Sequence, residues 1–335
     1  MQAQKISNTQ TIPYAKASMA MDLGEISGDL AGIRMLGFRE GHQYQHLVPY
    51  PEQAHAPVLE FVQEFATWFS VPEEQGFFIV GPSGVGKTTG VLHLLAEANV
   101  PTLKVGCHRD MTLLELIGNS QLKEKNGASV SEFVYGPLAQ AFKYGFTIVL
   151  EEMNLMFPDV LAGINEIVRG QTLLVEQTGE VIRRHPAFRI IAAGNSFGNG
   201  DAGSGKMHGA KAQNAAFLNR WWKFSMGFLD VQQEYNILKD KTQKVPPEIL
   251  RGIINVAESI RDRSIYRNPG DQNALDLEFG TRTTITWAQT IDRFARAGMG
   301  GSIKRALHAT MLRAEPVEIQ ELLDQLCTNE FGADY

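Results

Sequence analysis

Residues 77–89 read Phe77-Phe78-Ile79-Val80-Gly81-Pro82-Ser83-Gly84-Val85-Gly86-Lys87-Thr88-Thr89, and this stretch decides the fold. Four apolar residues in succession predict a buried strand. The segment that follows carries Val91, Leu92, Leu94 and Leu95 at helical spacing, so those four are expected to face inward. Strand, GxxxxGK[ST] and helix together make a phosphate-binding loop. Its glycines permit φ > 0, so successive backbone N–H groups can face one anion at the helix N-terminus. Lys87 adds a positive charge for the β- and γ-phosphates, and the Thr88 hydroxyl can ligate Mg²⁺. A glycine turn matching the pattern by chance would lack the flanking strand and helix. Residues 81–89 are therefore expected to bind ATP or a similar nucleoside triphosphate.

The totals bound the rest. A chain of 335 residues, 44% hydrophobic and 20% charged, can build two domains or one large one with ample core. The formal net charge of −6 argues against a general DNA-coating role and against nucleic acid as the general partner, while leaving room for a local basic patch. Cys107 and Cys327 form no CxxC, so neither a disulfide framework nor a cysteine zinc site is expected. His42 and His46 stand four apart with His55 nearby, but Pro49, Pro51 and Pro57 interrupt any helix there, so they read as loop histidines. No apolar run approaches the ~20 residues of a membrane span. The N-terminus has no signal-peptide core, so a cytoplasmic location is expected.

The carboxyl ends of two further apolar strands carry the chemistry. Thr147-Ile148-Val149-Leu150 runs into Glu151-Glu152-Met153-Asn154, placing acids where parallel sheets bind ligands. This fits a Walker B element, in which Glu151 would hold Mg²⁺ through its water shell and Glu152 would orient the attacking water. Phe188-Arg189-Ile190-Ile191-Ala192-Ala193 ends at Gly194-Asn195, and the Asn195 amide can reach a γ-phosphate or the lytic water. Asn126-Gly127 marks a hairpin with arms at 121–123 and 131–134, and 172–175 pairs with 181–183 in a second. A helix is expected at 58–69, a strand at 102–105, and helical segments at 113–117 and 160–168. Gly200 to Met207 spells GxxxxGK without the hydroxyl residue and without a leading strand, so it reads as a flexible loop. Arg220, at the end of a helix running into Trp221-Trp222, is open to two readings, a structural ion pair or a reach to a neighbouring subunit's nucleotide. The Trp pair reads as packing. Beyond Asp230 helices are expected at 247–262, 284–297, 302–313 and 316–327, with Arg282 just ahead of one of them.

This order of motifs resembles an AAA+ ATPase. The two hairpins resemble the MoxR-like and dynein-related branch, and within it the chain is similar to the ATPase subunit of aerobic cobaltochelatase (the CobS type). The similarity rests on Val181-Ile182-Arg183-Arg184-His185-Pro186-Ala187-Phe188-Arg189, on Gly198-Asn199-Gly200-Asp201, on His208-Gly209, on Asn219-Arg220-Trp221 and on Arg282-Thr283-Thr284-Ile285-Thr286-Trp287-Ala288. It covers roughly residues 45–335. The resemblance implies a homo-oligomeric ring, often a hexamer, working with a second subunit that carries a von Willebrand A-type domain. It implies Asn195 as sensor 1, Arg220 as the arginine finger acting in trans and Arg282 as sensor 2. Three departures stand out: Glu151 replaces the family's Asp, Gly280-Thr281 stands where Ser-Pro normally precedes the sensor-2 arginine, and the 200–207 loop is rich in Gly and Ser.

The expectation is thus an α/β, P-loop NTPase (AAA+) fold with a three-layer αβα core. An N-terminal arm spans 1–45, weakly ordered over its first 30 or so residues, the core spans 46–230 and a helical lid spans 231–335. ATP is expected between core and lid, and its Mg-dependent hydrolysis is expected to remodel a partner protein, metal chelation being the most specific version. The competing readings are a nucleic-acid translocase or restriction-type motor of the same branch and a nucleotide-gated assembly protein.

Overall fold

The computed structural model describes residues 23–26, 35–38, 43–49, 57–70, 75–125, 127–196, 215–264, 268, 274–275, 277–299, 302–332 and 335. The loop at 200–207, the quoted residues 198–201 and 208–209, and His42 and His55 lie outside them. Among the described residues, those through Val80 and from Lys87 to Ser225 form one compact unit. Gly81–Gly86 and the residues from Met226 onward form the other.

The first unit opens with an antiparallel strand pair, β1 (Leu23–Ile26) and β2 (Met35–Phe38), not expected from the sequence. It continues through α1 (Leu59–Ser70), β3 (Gly76–Val80), α2 (Lys87–Glu97), β4 (Thr102–Gly106) and α3 (Leu113–Ile117). The hairpin β5 (Gly118–Lys125) and β6 (Ala128–Tyr135) follows, then α4 (Pro137–Tyr144), β7 (Thr147–Glu151) and α5 (Pro158–Arg169). A second hairpin, β8 (Thr172–Val175) and β9 (Glu180–Arg183), leads to β10 (Arg189–Gly194), α6 (Ala215–Leu218) and β11 (Trp221–Ser225).

Five of these strands make one parallel sheet in the order β11-β3-β10-β7-β4. The apolar runs read from the sequence are its three inner strands: every residue of β3 and β10 is buried, as parallel strands covered on both faces require. On α1, Phe61, Phe65 and Trp68 turn to the sheet, the Trp68 ring lying tilted 5.1 Å from Phe77 and the Phe61 ring tilted 5.3 Å from Phe224. On α2, Val91, Leu94 and Leu95 are buried as expected, while Leu92 is only partly so. Thr112 and Glu115 form a capping box at the start of α3.

Trp221-Trp222 belongs to a strand, which the sequence reading missed. On this edge strand Trp221 and Phe224 are buried while Lys223 and Ser225 are exposed, so the buried positions stand three apart and no period-2 alternation marks a strand behind the helical segment. Trp222 packs partly buried and donates to Glu64 at 2.9 Å.

The second unit is helical: α7 (Val231–Lys241), α8 (Pro247–Arg261), α9 (Thr281–Arg296), α10 (Ser302–Thr310) and α11 (Val317–Phe331). The sequence reading placed the last four and missed α7, whose apolar stripe is thin. Its start was nonetheless signalled by Asp230, which accepts from the N–H groups of Gln232 and Gln233 at 2.9 Å. Inside the unit Arg261, fully buried, donates to both oxygens of buried Glu234 at 2.6 and 2.9 Å, to Glu258 at 2.9 Å and to the Phe279 carbonyl at 2.8 Å. The Thr284 hydroxyl donates to Glu234 at 2.6 Å. Burial works against the Arg261 charge, but the Glu234 and Glu258 contacts outweigh it and raise its pKa. Removing one member of such a pair leaves the other charge uncompensated, so Arg261→Met should cost about 3–5 kcal/mol in urea unfolding. Arg261→Met with Glu234→Leu should recover most of that. A single variant as stable as the native chain would show that the network contributes nothing.

Candidate functional site

Strand register sets the site's geometry. Gly194 pairs with Val80, Ala193 with Glu151, and Glu151 with Gly106, so β3, β10, β7 and β4 end at one level. The candidate residues of the first unit all follow from those ends. Lys87 and Thr88 open α2, Glu151 and Glu152 close β7, and Asn195 follows β10. Buried Lys87 donates to the Asn195 side-chain oxygen at 3.3 Å. The loop lysine and the strand-tip amide, 108 residues apart in the chain, are thereby joined. Thr88 is half-buried and Thr89 exposed at the first turn of the same helix.

The two acids differ in circumstance. Glu151 is extended in the strand and its carboxylate meets Lys104 of the neighbouring β4 at 3.1 Å. Glu152 adopts φ 55°, ψ 37°, the left-handed region, and starts the 3₁₀ turn Met153–Leu155. A residue other than glycine is strained there, by about 1–3 kcal/mol, and such strain gathers at functional sites. Cys107, at the tip of β4, donates its N–H to the Glu151 carbonyl at 2.8 Å. Burial pushes its thiol up to about 12, with the Glu151 and Glu152 charges adding to the shift, so the thiol stays neutral beside both acids. Asn154 is buried against Gly194.

Within the second unit the phosphate loop meets the start of α9. The Arg282 N–H donates to the Gly84 carbonyl at 3.0 Å, and a Cβ at Gly84 (φ +74°) would lie 2.9 Å from the Arg282 Cβ. Gly280 packs directly on the Ser83 carbonyl, leaving no room for a side chain. Arg282 is thus brought to the loop by backbone contacts. Of the remaining candidates in the loop, Pro82 and Val85 are buried, and Gly81, Ser83 and Gly86 are half-buried.

Arg220 is tied elsewhere. It follows α6, and its guanidinium pairs with Glu166 of α5 at 2.8 Å, both side chains reaching solvent. In the single chain it is therefore an ion-paired surface arginine.

The residues present fit a nucleotide and its metal. Gly86 takes φ +97° and the space over its Cα is open to beyond 4 Å, so that part of the loop can admit a phosphate. The candidate metal donors, the Thr88 hydroxyl and the Glu151 carboxylate, are hard oxygens of the kind Mg²⁺ prefers, usually one or two side chains completed by phosphates and water. Among the described residues no group of three or more His, Cys, Asp or Glu could hold a metal alone. No helix among them is long and apolar enough to cross a membrane.

Sequence reasoning missed Lys104 as a member of this constellation. A lysine in a strand is a weak signal, and only the strand order puts it beside Glu151.

A parallel sheet with a strand–loop–helix phosphate motif and an acidic neighbouring strand tip is the fold of a P-loop NTPase, and residues 76–211 match the AAA domain (dynein-related subfamily). NtrX from Brucella abortus, solved in complex with ADP, shares this fold, with TM-score 0.51 and 16% identity over 85% of this chain and 64% of its own. In sequence the chain is similar to the aerobic cobaltochelatase subunit CobS of a Sinorhizobium species, 29% identical over 70% of this chain and 68% of that protein. It is also 29% identical to an uncharacterised protein of Staphylococcus haemolyticus, over 57% of this chain and 70% of the relative. The chain thus carries an AAA+ ATPase core of the dynein-related branch, with homology to CobS.

Proposed function

We propose that this protein hydrolyses ATP with Mg²⁺ as part of a homo-oligomeric ring, hexameric in its simplest form, and spends the free energy remodelling a partner protein or complex. The observation that carries the reading is the Lys87–Asn195 contact at the level where β7 presents its two acids. It joins the phosphate-loop cation to a strand-tip amide, and the strand register brings Glu151, with Glu152 next in the chain, to the same carboxyl edge of the sheet, the set of groups that phosphoryl transfer to water uses.

In this reading the loop 81–89 binds the triphosphate, and Lys87 neutralises charge on the β- and γ-phosphates. Thr88, through its hydroxyl, and Glu151, through the metal's water shell, would hold Mg²⁺, which when bound would neutralise the phosphate oxygens further. Glu152, fixed in its left-handed turn, accepts the proton of the attacking water. Asn195 holds the water or γ-phosphate in line, and Arg282 reaches the same phosphates from α9. Arg220 of one subunit supplies positive charge to its neighbour's nucleotide. The second subunit is proposed to carry a von Willebrand A-type domain, and the similarity to CobS makes a metal-chelatase complex the most specific version.

Lys87→Ala tests the foundation. Removing the buried ammonium should abolish ATP binding measured by calorimetry, because the phosphates lose their main protein-side positive charge. Unchanged ATP affinity would remove the phosphate-loop reading altogether.

A further inference from the structure

Glu151 stands where the family's pattern has Asp, and it makes an ion pair that sequence reading did not anticipate. Lys104 lies on β4, paired in register with Val149, two residues before the Gly106–Glu151 pair. On adjacent strands that diagonal puts the two side chains on one face of the sheet. The Lys104 Nζ meets the Glu151 Oε2 at 3.1 Å, with Lys104 about half exposed and Glu151 28% exposed. An aspartate at 151 would withdraw the carboxylate by about one carbon–carbon bond, roughly 1.5 Å, and lose this contact. The extra methylene and the lysine form one device.

We propose that Lys104 is a positioning residue for the metal side of the site. It holds the Glu151 carboxylate toward the β4 edge, so Mg²⁺ takes that carboxylate only in competition with the ammonium. This rests on the reading of Glu151 as the metal-side acid. The lysine then sets how much free Mg²⁺ the nucleotide-bound protein requires, and neutralises Glu151 when no metal is present. An ion pair this open to solvent shifts an equilibrium by no more than about five-fold, a usable range for tuning a metal requirement.

The test uses Mn²⁺ in place of Mg²⁺, titrated by electron paramagnetic resonance into the full chain saturated with a non-hydrolysable ATP analogue. Lys104→Met should lower the half-saturating Mn²⁺ concentration about two- to five-fold, and Lys104→Arg should restore the native value. In a Glu151→Asp background Lys104→Met should produce no shift, because the shortened carboxylate no longer reaches the lysine. That background separates the specific contact from the general loss of a nearby positive charge. Unchanged or weakened Mn²⁺ binding in Lys104→Met would overturn the proposal alone, provided Glu151→Gln weakens Mn²⁺ binding. Unchanged Mn²⁺ binding in Glu151→Gln would overturn both this proposal and the metal role of Glu151.

Discussion

Arg220→Ala is expected to bind ATP normally and to lose turnover by about 10³-fold, the scale on which an arginine finger acts. Hydrolysis concentrates negative charge on the transferred phosphoryl group, and in the single chain Arg220 is engaged with Glu166 at 2.8 Å. That pair is exposed and is worth at most about 1 kcal/mol, so it can be given up when a neighbouring subunit docks. Glu166→Gln should accordingly change turnover by less than about three-fold, while activity rises with protein concentration as rings assemble. Mixing Arg220→Ala with Lys87→Ala chains should restore part of the activity, since an intact pocket then meets an intact finger. Absence of rescue in rings shown to be mixed, or a loss in Glu166→Gln equal to that in Arg220→Ala, would make Arg220 a structural residue.

Glu152→Gln should keep ATP and lose turnover by at least ~100-fold, the usual size of a general acid–base contribution. The amide preserves the shape and one acceptor oxygen but cannot take the proton. The backbone adds a second, independent signature. Because Glu152 is held at φ 55°, Glu152→Gly should relieve strain and raise the unfolding midpoint while also abolishing turnover. A variant that is both more stable and inactive would mark the residue as strained for its task. Normal hydrolysis by Glu152→Gln would move the role elsewhere, with Glu151 the first to be tested.

Much of this was legible in the chain because it is local. The strands at 77–80, 147–150 and 188–193 announce themselves as short, mostly apolar runs, the last interrupted only by Arg189, and the phosphate loop is a contiguous string whose glycines have backbone reasons. Asn126-Gly127 and the arms around it likewise give the first hairpin directly. What escaped is what depends on strand order. The fifth strand, with Trp221 buried and Trp222 half out, cannot be told from a helix end until β3 is seen beside it. Lys104 joins the candidate site only because β4 is the edge neighbour of β7. The clasp of Gly280 and Arg282 on Ser83 and Gly84 spans nearly 200 residues and leaves no local trace beyond a glycine before a threonine.

The buried Glu234–Arg261–Thr284 network has a meaning for how the polypeptide is made. Glu234 leaves the ribosome 27 residues before the arginine that neutralises it and 50 before the threonine that completes its hydrogen bonds. At about 5–20 residues per second, the carboxylate stays in water for roughly 3–10 seconds of synthesis. Burying it before Arg261 has emerged would strand a charge in an apolar interior, and until Thr284 follows, its set of hydrogen bonds is incomplete, so α7 reaches its full set of partners only once α8 and the start of α9 have been made. The order in which α7, α8 and α9 can pack is thereby tied to this one buried network.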